Sequence, residues 1–84
     1  MYLVKVYVTL KKGILDPQGV TIRGALEALD YKNVREVRTG KYMELELDAP
    51  TAEAAREEAA EMARRLLANP VIEDYRLEVE EARA

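Results

Sequence analysis

The chain has 84 residues, a net charge of −3, 49% hydrophobic content, and no histidine, cysteine or serine. The side chains that supply most nucleophiles, neutral-pH proton shuttles and soft-metal ligands are therefore missing, which disfavours an independent enzyme and a thiolate metal carrier. A domain this small buries only about 60 to 65% of its unfolded surface, and with no disulfide to reinforce it, association into a homodimer or higher homo-oligomer is expected.

The first element runs from Tyr2 to Leu10, where the even positions Tyr2, Val4, Val6, Val8 and Leu10 are apolar and the odd ones mix Leu3, Lys5, Tyr7 and Thr9. Period two marks a strand with one buried face. After Lys11, Lys12 and Gly13, the pair Asp16-Pro17 supplies an N-cap and a proline at the first helical position. In the helix that follows, Ile22, Ala25, Leu26 and Leu29 fall on one stripe, expected to face the sheet, and Gly24 on another side marks either a close approach or a tolerated glycine. Asp30 to Asn33 ends this helix.

Val34 to Thr39 then reads as a short strand, Gly40-Lys41 as a turn, and Tyr42 to Asp48 as a strand with Met43, Leu45 and Leu47 inward and Tyr42, Glu44, Glu46 and Asp48 outward. Those two strands should form a hairpin. Thr51 caps a second helix whose stripe is Ala55, Ala59, Met62 and Leu66, with Glu61, Arg64 and Arg65 on a solvated face. Asn69-Pro70 closes it, and the final strand, 71–80, turns Tyr75, Leu77 and Val79 to one side. The order β-α-β-β-α-β predicts one domain of α+β class: a ferredoxin-like two-layer sandwich, with a four-stranded antiparallel sheet carrying both helices on one face.

No apolar run approaches the ~20 residues needed to span a bilayer, and Met1 leads straight into a strand pattern, so no membrane segment or signal peptide is expected and the location is cytoplasmic. Residues 1–42 carry eight basic and four acidic side chains, residues 43–84 five and twelve. This acidic balance disfavours nucleic acid, and three carboxylates replace the stacking aromatics an RNA-binding strand would present. Lys11-Lys12-Gly13 is a weak echo of the anion loop of an acylphosphatase. Carboxylates alternating along a strand are a soluble face more often than a magnesium site. No catalytic, cofactor or metal residues are assigned. The surface candidates for partner contacts are Lys11, Lys12, Arg38, Lys41, Tyr42 and Tyr7, the tyrosines as amphipathic anchors. A paired regulatory domain that binds a small molecule between sheets is the alternative that composition leaves open.

Three stretches narrow the field: VYVTLKKGILDPQG from Val6 to Gly19, VRTGKY from Val37 to Tyr42, and LLANPVIEDY from Leu66 to Tyr75. Together they resemble the PurS family, the small subunit of phosphoribosylformylglycinamidine synthase, over nearly the whole chain. The resemblance implies an accessory subunit without chemistry of its own, which dimerises and joins a large ATP-binding synthase subunit to a glutaminase subunit. ATP, magnesium and glutamine would be used by those partners in converting formylglycinamide ribonucleotide to formylglycinamidine ribonucleotide. The chain departs from the family pattern at Lys12, where proline is common, and at Asp30, where a glycine usually precedes the tyrosine; Asp30 is therefore expected at a helix exit with positive φ.

Overall fold

The computed structural model describes residues 1–82. Strand β1 (Tyr2–Leu10) is central, flanked by β2 (Gly40–Leu47) and β3 (Glu73–Glu81), and both pairings are antiparallel. The registers place Tyr7 opposite Tyr42 on one side and Arg76 on the other, and Val6 between Met43 and Leu77. The alternation read along β1 is borne out: Val4, Val6 and Val8 are fully buried. Each such side chain contributes about 1.5 to 3 kcal/mol by leaving water.

Helix α2 (Ala52–Met62) covers that buried row, lying over β1 and β3. Thr51 caps it, its Oγ1 accepting the Ala54 N–H at 3.0 Å. Ala55 and Ala59 are fully buried because only small side chains let the helix axis approach the sheet closely. The stripe does not continue to Leu66. Residues Ala63–Leu67 form a π-helical turn, in which the Ala68 N–H donates to the Ala63 carbonyl at 2.9 Å. The extra residue per turn shifts the helix phase, so Ala63 is buried, Leu67 packs against the core and Leu66 stands 83% exposed.

Two further expectations are corrected. The sheet has three strands among the described residues, giving the order β-α-β-α-β, because Val34–Thr39 does not pair as a strand. Gly40 and Lys41 cannot turn a hairpin, since they are already in register with Thr9 and Val8 of β1. The polar groups of the preceding segment go elsewhere: Val34 O accepts from Arg23 Nε at 3.0 Å, and Thr39 N–H donates to the Asp16 carboxylate at 2.6 Å.

The second correction concerns helix α1 (Pro17–Ala28), which makes only passing contact with the sheet. Its expected inward stripe is not buried: Ile22 is exposed and Leu29 is 69% exposed. Gly24 has open space around it, so no close approach within the chain explains it. A nine-residue strand of about 30 Å and a 12-residue helix of about 18 Å placed end to end match the 50 Å long axis of a body only 14 Å thick. The helix and its return segment are thus an arm extending from the sheet. The radius of gyration, 16.3 Å, exceeds the roughly 12 Å expected of a compact chain this long.

Candidate interaction surfaces

The arm is rooted in Asp16. Its Oδ1 accepts the Gly19 N–H at 2.9 Å, its Oδ2 the Thr39 N–H, and the Thr39 hydroxyl donates to the same carboxylate at 3.0 Å. Asp16 is 7% exposed and is the one buried charged residue described. The Thr39 amide, then the Gly19 amide, hold its carboxyl below the usual range. Gly19 is required here by proximity, because a Cβ on it would collide with the Val37 carbonyl. Arg38 completes the root, its guanidinium donating to Leu10 O at 2.7 Å and Lys11 O at 3.1 Å. A groove of about 420 Å³ opens beside these groups, lined by Leu10, Asp16, Gln18, Thr39, Lys41 and Glu73. A carboxylate with this many donors on it, and held ionised, is a fastener rather than a proton acceptor.

The six surface candidates fall into two neighbouring groups. Lys11, Lys12, Arg38 and Lys41 gather at the end of the sheet where the arm leaves. Lys11 pairs with Asp74 at 2.8 Å, Lys41 reaches Leu67 O at 3.4 Å, and Lys12 is exposed. Arg38 is half-buried and committed to backbone carbonyls. Tyr7 and Tyr42 lie together on the sheet face that α2 does not cover, with ring centroids 5.0 Å apart. Tyr7 donates to Glu78 and Tyr42 to Glu44, each at 2.7 Å, and Arg76 sits 4.4 Å above the Tyr7 ring. Donation to Glu78 raises the Tyr7 hydroxyl, and donation to Glu44 pushes Tyr42 up to about 12.

The apolar side of the arm was expected inside the fold, so sequence reasoning missed it as a surface. Ile22 and Leu29 are exposed there, and Val20 on the opposite side of the helix and Tyr31 beyond its end are each more than half exposed. The helix-side row of β2, Met43, Leu45 and Leu47, packs against the core but is not fully covered. The chain exposes 6391 Å², about 1,300 Å² more than the roughly 5,000 Å² of a compact monomer of its mass. A standard interface takes about 800 Å² per partner.

Flat surfaces, an apolar arm and a carboxylate used as a fastener define a small α+β association domain. Its relatives agree. The family model for PurS, described as phosphoribosylformylglycinamidine (FGAM) synthase, matches residues 3–81, and the chain belongs to that family. The chain is 52% identical to the PurS subunit of Bacillus subtilis over 81 residues, covering 96% of this chain and 95% of that one; the solved structure of that protein superimposes with a TM-score of 0.85. PurS of Methanocaldococcus jannaschii, one of the subunits of formylglycinamide ribonucleotide amidotransferase in the purine biosynthetic pathway, superimposes with a TM-score of 0.90 at 44% identity, covering 99% of this chain and all of that one. A chain in the structure of PurLQS from Thermotoga maritima matches with a TM-score of 0.84 at 30% identity, over 95% of this chain and 99% of that one.

Proposed function

We propose that the chain is a non-catalytic subunit that dimerises and bridges the large ATP-binding subunit and the glutaminase subunit of phosphoribosylformylglycinamidine synthase. The observation that carries this is the total exposed surface, about 1,300 Å² above that of a compact monomer of this mass, together with an arm whose Ile22 and Leu29 stay exposed. The arm and the open sheet face are separate places, so one chain can engage two neighbours. Ile22, Leu26 and Leu29 of one copy would lie against the incompletely covered row Met43, Leu45 and Leu47 of another, completing the helix layer over β2. The PurLQS assembly of the Thermotoga maritima relative supports the heteromeric part.

A bridge has a physical purpose in this reaction. Ammonia released from glutamine must reach the ATP-dependent site without escaping into water, so the two sites need fixed register. ATP, magnesium and glutamine are then handled by the partners, and the complex works in the cytoplasm. Affinity capture of the tagged chain from its source extract, with glutamine and Mg-ADP present, tests the proposal by mass spectrometry of what co-elutes. Recovery of a large ATP-binding ligase with a glutaminase supports the bridge; the chain recovered alone refutes it.

A further inference from the structure

We infer that the uncovered sheet face is the contact for a lysine- and arginine-rich surface on one of the two partner subunits, an inference that rests on the bridging role proposed above. The strand registers set three rows across this face: Tyr42–Tyr7–Arg76, Glu44–Lys5–Glu78 and Glu46–Leu3–Glu80. Lys5 pairs with Glu80 at 3.5 Å. Among the described residues, Glu44, Glu46 and Glu78 have no cation within ion-pair distance, and Glu44 and Glu78 are held in place by the tyrosine hydroxyls.

The three rows therefore set a tilted pair of aromatic rings beside four carboxylates, against which they place two cations, Lys5 and Arg76, leaving the rows net negative. Aromatic anchors next to a charged patch are the composition of a contact that uses few residues for most of its affinity. Its sign selects the occupant. A second copy laid face to face would set these carboxylates against themselves, and like charges across an interface cost several kcal/mol; a polyanion is repelled for the same reason. The arm of a second copy is drawn to the opposite, apolar side of the sheet. A cationic protein surface remains. Three strands about 4.8 Å apart and about 30 Å long give this contact roughly 400 Å², half a standard interface. It therefore acts alongside other contacts, and a dimer, presenting two such faces, multiplies it.

The test uses the full chain with the separately purified large subunit and glutaminase of the same enzyme. Affinity for each is measured by biolayer interferometry at 50 and 500 mM NaCl, and oligomeric mass by light scattering. Glu44→Gln/Glu46→Gln/Glu78→Gln keeps the acceptors for the tyrosine hydroxyls and removes the charge. The control Glu57→Gln/Glu58→Gln/Glu61→Gln makes the same charge change on α2. The face variant should bind one subunit on the order of tenfold more weakly with a flattened salt dependence, its oligomeric mass unchanged and its fold intact by circular dichroism, while the control binds as the wild type does. Equal weakening by the control, unchanged affinity of the face variant, or a fall in its oligomeric mass would each overturn the inference. Failure of the wild-type chain to bind either subunit would instead refute the bridging role and this inference with it.

Discussion

Asp16 and Thr39 are 23 positions apart, yet the carboxylate of one receives both the backbone N–H and the hydroxyl of the other. The same carboxylate caps α1 through Gly19, so one side chain starts the helix and ties its return segment to the head of β2.

Replacing Asp16 with alanine should lower Tm by roughly 5 to 10 °C, as expected for losing a buried cap in a domain of this size. The pH dependence follows from a folded value below 3.8: the stabilisation is present above the unfolded value and disappears as pH falls through the folded one. Thermal melts between pH 7 and 2 should therefore show the wild type converging on the variant only below about pH 4.

The exposed apolar stripe leads to a second expectation. Ile22→Glu/Leu29→Glu should reduce the oligomeric mass measured by light scattering to that of a monomer, with far-UV circular dichroism unchanged, because neither side chain contributes to the packed core. A variant that keeps its oligomeric mass would remove the arm from the interface between copies.

The two leucines of the π-helical turn are neighbours with opposite consequences. Leu67→Ser should destabilise by about 2 to 4 kcal/mol, a loss typical of truncating a packed aliphatic side chain. Leu66→Ser should stay within about 0.5 kcal/mol. Urea melts of the two proteins distinguish this phase from an uninterrupted α-helix, in which Leu66 would be the costly position.

An alkaline titration followed by tyrosinate absorbance should show one hydroxyl ionising near pH 12. Glu44→Gln should bring it down, since donation to that carboxylate is the leading cause. By linkage, the raised value stabilises the fold below pH 10, and this contribution is lost as pH rises through the folded value.

Asp30 adopts φ of +76° at the exit of α1, as the glycine usual at that place in the family implies. Aspartate tolerates that region at a cost glycine does not bear, so Asp30→Gly should raise stability by about 0.5 to 1 kcal/mol, measured by chemical denaturation.

Local signals carried most of the fold. Period two located the strands, Asp16-Pro17 and Thr51 marked both helix starts, and Asp30 marked an exit, because each depends on residues within one turn of itself. The missed features are all nonlocal. Whether Val34–Thr39 pairs with a strand depends on Arg23 and Asp16 taking its polar groups first, with Gly19 letting it pass close to α1. Nothing in the stripe of α1 tells whether its own sheet or another chain covers it, since both present the same apolar spacing. The π-helical turn inserts a phase shift that no residue between Ala63 and Leu67 announces. At the candidate surface, tyrosines read as anchors do lie paired on the open face, whereas Arg38, read as an outward cation, is spent on Leu10 and Lys11.

The projecting arm also makes folding and assembly a single mass-action problem. Under the proposed association, a chain that leaves some 1,300 Å² of excess surface in water gains part of its stability when a neighbour arrives, and its midpoint of unfolding should climb with protein concentration. Dilution then acts as a mild denaturant, and an orphan subunit made in excess of its partners is the form most exposed to proteolysis.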